Sequence, residues 1–172
     1  MISLKLTRDY YTLDAITVAK DLLGKKMIRK IGSKKIEVKI VEAEAYMGAE
    51  DKASHAYNNK KTSRTKTMFK NGGYTYIYLI YGMYNCLNIV TGAKDEPQAV
   101  LIRSVEPVSG LKYIKENRNI KSNKIEDLTN GPGKLCEALE IDTSLNELDL
   151  LHNDQLYIVD ENKSEEIEVG EG

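Results

Sequence analysis

Near the N-terminus, apolar side chains recur at the spacing that places residues on one face of a helix. These positions are Leu13, Ile16, Ala19, Leu22 and Leu23. The pattern predicts an α-helix from Thr12 to Gly24, because threonine is a good residue for the start of a helix and glycine commonly ends one. This helix is expected to belong to the scaffold.

After this helix, apolar residues alternate with polar ones, which is typical of strands. Residues 26–31 and 36–46 are predicted to form two strands joined through residues 32–35. Successive side chains of a strand point to opposite faces of its sheet, so every second residue shares one face. The core-facing side of the second strand is expected to carry its branched aliphatic residues, Ile36, Val38 and Ile40.

The same alternation continues into charged residues. If it holds, Glu42, Glu44 and Tyr46 lie on the core-facing side of the strand. Burying an unpaired charge is costly, so carboxylates in that position would be paired or used in chemistry. The alternative is a bulge at Val41, which would turn these side chains toward water.

The rest of the chain predicts strands and helices in mixed order. Residues 47–73 are polar and basic and are expected to form an exposed loop that ends in a turn at residues 71–73. Strands are predicted over residues 74–80, 98–105 and 155–160, and helices over residues 110–117 and from the segment 130–134 to Leu139. Because these elements follow no regular βαβ order, they indicate an α+β domain.

Composition indicates how many domains the chain forms and in which cellular compartment the protein is expected. A chain of 172 residues with 41% hydrophobic content is expected to form one domain around one core. Cys86 and Cys136 are far apart and form no CxxC pair, so neither a disulfide scaffold nor a zinc site is predicted. The N-terminus has no long apolar run, so no signal peptide or membrane span is expected and a cytoplasmic location is predicted.

The net charge of −1 conceals a strong asymmetry. Residues 52–94 contain seven basic residues and no acidic one, whereas residues 137–172 carry one basic and 12 acidic residues. Five tyrosines lie between Tyr74 and Tyr84. Cations neutralise phosphates and aromatic rings stack on bases, so the central segment indicates a nucleic-acid surface.

Side chains that could carry chemistry cluster around this segment. They are Glu42, Glu44, Tyr46, His55, the tyrosines between positions 74 and 84, Asn88 and Arg103. The tyrosine row could equally be structural, and His55 could be an ordinary surface residue. Arg103, within an apolar strand, is either an edge residue or the ion-pair partner of Glu42 or Glu44. Asp51, His55 and His152 do not form a recognisable ligand set, so no metal and no cofactor are predicted.

Five separated segments give the chain a specific resemblance. They are Val41–Tyr46, Glu50–His55, Tyr76–Asn88, Val100–Pro107 and Gly131–Cys136, in this order within about residues 8 to 159. Together they closely resemble the alkyladenine DNA glycosylase family, also called 3-methyladenine DNA glycosylases. The expected architecture is a single α+β domain over residues 1–160, with a curved, mainly antiparallel sheet flanked by helices, and an acidic, mobile tail over residues 161–172.

The resemblance implies roles for the residues around Glu44. This carboxylate occupies the position of the general base that activates water against the anomeric carbon of a flipped nucleotide, and Arg103 that of the residue holding water and carboxylate in place. The pocket that sandwiches the extruded base would be formed by Tyr46, His55 and Tyr78. Asn88 would crowd the space where guanine brings its exocyclic amine.

The resemblance also implies a DNA-binding surface. Tyr81 matches the wedge that fills the space left by the flipped nucleotide. Arg64, Lys66 and Met68 match a DNA-contacting loop, with the cations on phosphates and Met68 against the groove. The expected partner is double-stranded DNA that contains damaged purines, and the protein is expected to be a monomer.

The expected activity is that of a monofunctional DNA glycosylase acting on alkylated or deaminated purines, since no lysine is placed as a nucleophile. Members of this family usually continue past the last strand into a segment that packs back on the sheet, whereas this sequence stops at Gly172. A non-catalytic DNA-binding protein of the same fold, inactivated by the shortened C-terminus, is therefore the alternative expectation. A hydrolase of free nucleosides would leave the basic loop and Tyr81 without a role.

Overall fold

The computed structural model describes residues 4–161. Its framework is a curved antiparallel sheet of seven strands in the order β1-β7-β2-β3-β6-β5-β4. The strands are β1 (Leu4–Lys5), β2 (Lys26–Ile31), β3 (Lys34–Tyr46), β4 (Thr75–Ile80), β5 (Tyr84–Thr91), β6 (Gln98–Ser109) and β7 (Leu156–Asp160). This architecture confirms the predicted fold class, a single α+β domain with helices beside the sheet.

Four α-helices accompany the sheet in the described part of the chain. They are α1 (Arg8–Tyr11), α2 (Ala15–Leu22), α3 (Leu111–Arg118) and α4 (Pro132–Ala138). The start predicted at Thr12 is wrong, because Thr12 ends α1 and the Asp14 side chain caps α2 by accepting from Thr17 N at 2.9 Å. The buried face of α2 is formed by Ala15, Val18, Ala19 and Leu22.

One face of the sheet carries the main core. Helices α2, α3 and α4 pack against this face, and its aliphatic residues include Ile36, Val38, Ile40, Ile77, Leu87, Ile89, Val100 and Ile102. Burial of side chains of this size contributes roughly 1.5–3 kcal/mol each. The rest of the fold is therefore stabilised mainly from this side, which leaves the opposite face available for a site.

A smaller cluster lies on the opposite face, under the segment between β3 and β4. The segment is less open than predicted, since it contains three short 3₁₀ helices and covers a group of buried residues. That group comprises Ala56, Met68, Phe69, Tyr76, Val90 and Ala99. The expectation of a fully exposed loop is corrected in this respect, because the apolar residues of the loop close over the sheet.

A double irregularity between β3 and β6 decides which way the carboxylates point. Ile40 pairs with Val105 and Ala43 pairs with Ile102, but Glu42 pairs with Ser104 between them. Val41 and Arg103 are therefore extra residues on their strands. The predicted continuation of the core-facing stripe is wrong, and the alternative of a bulge at Val41 is correct.

The consequence of the bulge differs from a simple turn toward water. Val41 and Glu42 are both exposed, while Ala43 and Ala45 pack against the main core. Glu44 and Tyr46 alternate with these alanines and so lie on the face that carries the smaller cluster, where both are half-buried.

The remaining predicted elements are present with shifted bounds, and two strands, β1 and β5, were not predicted. Strand β5 begins with polar residues, which obscure its alternation, yet it pairs with β4 from Tyr84 opposite Ile80 to Ile89 opposite Thr75. Strand β6 continues to Ser109, beyond the predicted end at Val105. Of the predicted acidic tail, Glu161 forms an ion pair with Lys26 at 2.6 Å, and residues 162–172 lie outside the described residues.

Candidate active site

An aromatic pocket opens on the face of the sheet that carries the smaller cluster. It is a cavity of about 30 Å³. Its lining comes from β3, β4, β5 and β6 and from the loop after β3, namely Tyr46, Ala53, Ser54, His55, Met68, Tyr76, Tyr78, Asn88 and Ala99. One water needs roughly 10–15 Å³, so a base enters only if side chains move.

Three rings form one wall of this pocket. His55 contacts Tyr78 with the ring centroids 4.6 Å apart, and its Nδ1 lies 2.9 Å from the Tyr76 hydroxyl oxygen. One side of His55 remains exposed to solvent. Desolvation and the nearby positive charge of Arg64 lower the pKa of His55, so the ring is neutral at pH 7 and its face stays electron-rich.

Asn88 closes the back of the pocket. It lies opposite Tyr76 on the neighbouring strand and is only 2% exposed. Its Nδ2 donates to the Tyr76 carbonyl oxygen at 3.2 Å, and its side chain also interacts with the Tyr78 hydroxyl. An amide held from two directions presents fixed polar atoms to whatever enters, which suits a residue that excludes one base and admits another.

A carboxylate held by an arginine lies beside the pocket. Arg103 donates from Nη1 to Glu44 Oε2 at 2.8 Å and from Nε to Glu42 Oε1 at 3.2 Å. Burial opposes the charged form, but these two partners raise the pKa of Arg103 overall. The ion-pair alternative for Arg103 is thereby confirmed.

Tyr46 connects this carboxylate to the cavity. Its ring lines the pocket, and its hydroxyl interacts with Glu44. Burial, reinforced by the negative charge of Glu44, raises the pKa of Tyr46, so the phenol stays protonated and can donate. Glu44 does not itself line the cavity and retains 43% side-chain exposure, which leaves room for a water molecule at the mouth.

The hairpin between β4 and β5 presents an exposed aromatic tip. Tyr81 is 89% exposed, and its neighbours Met83 and Tyr84 are also exposed. Tyr81 and Gly82 both have positive φ, at +54° and +67°, which makes the turn tight enough to project the ring away from the sheet. An exposed apolar side chain on a strained turn is a candidate for contact with a partner molecule.

The basic segment leaves its cations free of carboxylates. Within the described residues, none of the seven basic side chains between positions 52 and 94 is in an ion pair with a carboxylate. Lys66 is exposed, and Arg64 is also exposed but lies against the Tyr78 ring. Met68 is 2% exposed and lines the pocket, so the expected contact of this side chain with a DNA groove is corrected.

Some pocket residues were not identified from the sequence as parts of a site. The pattern predicted Tyr76 only as one of an alternating row, although that alternation is the signal that places it beside Tyr78. Met68 and Ala99 form the floor, and Ser54 precedes His55 in the wall. No spacing in the sequence indicates that these residues meet, because they come from three separate elements.

Two properties of the described residues concern metals and membranes. No group of three or more potential ligands among His, Cys, Asp and Glu is arranged to hold a metal ion within residues 4–161. Over the same residues, no helix combines the length and the hydropathy needed to cross a bilayer.

Taken together, the aromatic slot, the arginine-held carboxylate and the free cations match the task of hydrolysing the bond between a base and its sugar, which places the molecule among the DNA N-glycosylases. Comparison with known proteins gives the family. Residues 9–172 match the model of the methylpurine-DNA glycosylases, and the chain belongs to that family.

Bacterial relatives support this assignment over most of the chain. It is 52% identical over 155 residues to a protein of Natranaerobius thermophilus, and the aligned region covers 90% of this chain and 78% of the relative. It is 50% identical over 169 residues to a protein of Clostridium novyi, and the aligned region covers 95% of this chain and 83% of the relative. Both relatives carry the provisional name 3-methyladenine DNA glycosylase.

Proposed function

We propose that the protein is a monofunctional glycosylase that removes alkylated or deaminated purines from double-stranded DNA after flipping the damaged nucleotide out of the helix. The substrates would be of the 3-methyladenine, hypoxanthine and ethenoadenine class, and the product is an abasic site that starts base excision repair. The single observation that carries the proposal is the 2.8 Å contact between Arg103 and Glu44 beside Tyr46, a ring of the pocket.

The first step is extrusion of the nucleotide. Unstacking and unpairing a base costs roughly a few kcal/mol, and less for a damaged or mispaired one. The exposed ring of Tyr81 can enter the space that is left and offset part of this cost. The cations of the basic segment hold the flanking phosphates meanwhile, so the duplex stays bound while one nucleotide leaves it.

Recognition then takes place in the aromatic pocket. The flipped base would stack between Tyr46 on one side and the wall of His55 and Tyr78 on the other, which is worth roughly 1–3 kcal/mol. Electron-rich faces favour a purine that carries positive charge from alkylation. Asn88 would exclude guanine by occupying the space of its exocyclic amine, since its side chain is fixed by Tyr76.

Hydrolysis depends on Glu44. The carboxylate accepts a proton from water at the mouth of the pocket, and its charge favours the oxocarbenium-like sugar that forms as the base leaves. Arg103 holds the carboxylate through the bond to Oε2, and the Tyr46 hydroxyl interacts with the same carboxylate, so both residues orient Glu44 toward the water. No lysine lines the pocket within the described residues, which supports hydrolysis without a Schiff base.

The test compares two carboxylates bound to the same arginine. Glu44→Gln should lower excision of 3-methyladenine from a duplex by about 10²–10⁴-fold, the usual contribution of a general base, and should leave binding of the damaged duplex nearly unchanged. Single-turnover release of the base and a separate binding assay measure the two effects.

Glu42→Gln is the matched control. It also removes one partner of Arg103, but Glu42 is 61% exposed and contacts no pocket residue, so excision should stay within about tenfold of wild type. Equal losses in the two variants would contradict a special role of Glu44, and undiminished excision by Glu44→Gln would falsify the proposed mechanism.

A further inference from the structure

The Arg64 side chain reaches back to the pocket. Its guanidinium carbon lies 4.8 Å from the centroid of the Tyr78 ring, and the guanidinium also interacts with the Tyr76 hydroxyl. Its charge acts on His55 as well. One cation therefore contacts Tyr78 and Tyr76 and acts electrostatically on His55, the third ring of the pocket wall.

No other cation of the basic segment is placed in this way within the described residues. Lys61 lies over Phe69 at 5.2 Å and Lys70 lies over Tyr74 at 4.9 Å, and neither ring lines the pocket. Arg64 also has no carboxylate partner among the described residues to draw it elsewhere, so its position over Tyr78 follows from the ring itself.

The guanidinium shares two properties with an alkylated purine, since both are flat and both carry a delocalised positive charge. An electron-rich ring attracts either group in the same way. Arg64 is not among the residues that line the cavity, but while it lies against Tyr78 the π-electrons of this ring already interact with a cation.

We propose that Arg64 is a specificity-determining residue that binds the Tyr78 ring beside the unliganded pocket, competes with the base for this ring and is displaced when damaged DNA binds. The inference rests on the proposed function of this pocket as the site of the flipped base. Phosphates of the duplex offer the guanidinium a stronger partner than a ring does, so DNA binding itself helps to release the Tyr78 ring from Arg64.

Selectivity follows from this competition. An incoming base must interact with the wall better than the guanidinium it replaces. A cationic alkylated purine gains cation–π attraction, whereas a neutral, undamaged purine gains stacking alone. The cationic base therefore displaces the guanidinium more easily.

The test separates the pocket from the phosphates by using free 3-methyladenine as the probe. Arg64→Gln should bind the free base about 2- to 5-fold more tightly than wild type, which corresponds to roughly 0.5–1 kcal/mol at 1.4 kcal/mol per tenfold. The same variant should bind duplex DNA less tightly, because it has lost a cation. Calorimetry with the base and a fluorescence assay with the duplex give the two affinities.

Lys66→Gln is the matched control, since it removes the same charge two positions along the loop without removing a contact to the pocket rings. It should weaken DNA binding and leave the affinity for free 3-methyladenine unchanged. A second readout is the pKa of His55 by NMR, which Arg64→Gln should raise, since a nearby positive charge is lost, and Lys66→Gln should not.

The outcomes distinguish the two proposals. If Arg64→Gln and wild type bind the free base equally well and both excise the lesion from DNA, Arg64 does not compete for the pocket, and the proposed function stands. If neither protein binds the base and wild type releases none from DNA, the proposed function fails and the role of Arg64 fails with it.

Discussion

At the scale of single residues, two chemically identical carboxylates differ in their position relative to Tyr46. Glu42 and Glu44 both bind Arg103, but only Glu44 interacts with a ring that lines the pocket. In the same way the two histidines of the chain differ, because His55 packs on Tyr78 while His152 is 76% exposed beside Asp149. Neighbours in space, rather than residue type, give Glu44 and His55 their proposed roles.

The lowered pKa of His55 predicts how stability depends on pH. In the unfolded chain His55 binds a proton near the ordinary pKa of 6.5. In the folded protein it binds that proton only at a lower pH. As the pH falls through 6.5, the unfolded state gains a proton first, so the free energy of unfolding should decrease; above that pH this contribution is constant. Urea unfolding at pH 7.5 and pH 5.5 measures the difference.

Substitution of His55 by Gln should make that pH dependence shallower. The contribution is expected to be small, because His55 keeps one side in solvent. An unchanged slope in the His55 variant would show that the pH dependence arises from other groups.

At the scale of elements, the hairpin of β4 and β5 combines three tasks. Ile77 faces the main core, Tyr76 and Tyr78 face the pocket, and Tyr81 projects from the tip. The alternation of a strand gives the first two directions, and the tight turn gives the third. In the proposed mechanism, recognition of the base and insertion into the duplex therefore belong to one hairpin.

Tyr81→Ala should lower excision from fully paired duplexes more than from duplexes in which the lesion is mispaired or flanked by mismatches. The reason is that a wedge matters most where unpairing costs most. A loss of about tenfold on paired substrate would correspond to roughly 1.4 kcal/mol of lost wedge stabilisation. Excision rates on matched pairs of substrates provide the measurement.

The folded state should be unaffected by this substitution. Tyr81 is almost fully exposed, and alanine tolerates the positive φ of +54° no better than tyrosine does, so the backbone cost is the same in both proteins. Thermal unfolding is the control, and equal losses of activity on paired and mispaired substrates would argue against insertion of this ring.

At the scale of the whole molecule, the sheet separates support from chemistry. The helices cover one face with the main core, and the loop between β3 and β4 covers part of the other with a smaller cluster that borders the pocket. Six of the uncompensated cations lie in this loop, and the seventh, Lys94, lies between β5 and β6. Attraction of a polyanion is consequently a property of one region, although the chain as a whole is nearly neutral.

This distribution predicts steep salt dependence of DNA binding. Each phosphate contact contributes about 0.9 log unit of affinity per log unit of salt, so seven contacts would set an upper limit of roughly 6. Combining Lys60→Gln with Lys61→Gln should reduce the slope by up to about 2, whereas Lys112→Gln on α3 should not change it. A slope near zero for wild type would exclude the basic segment as the DNA surface.

The sequence predicted the elements where a single pattern dominates. The hairpin of β2 and β3, the helix after β6 and the last strand follow from local alternation, helical spacing and glycine or proline at the ends. Strand β5 was missed because Asn85 and Asn88 interrupt its alternation, and the start of α2 was misplaced because Thr12 and Asp14 are both good caps. Where a local pattern is compatible with two structures, tertiary packing decides which of them forms.

Local sequence patterns did not predict which way the side chains of the site residues point. The sequence determined by itself the chemical inventory: carboxylates beside an arginine, a row of tyrosines, and a segment of cations without acids. Only the tertiary structure decided that the bulge at Val41 and Arg103 turns Glu44 away from the core, and that Arg64 folds back on Tyr78. Both depend on pairing and packing between residues distant in the chain, whose energies no short window of sequence contains.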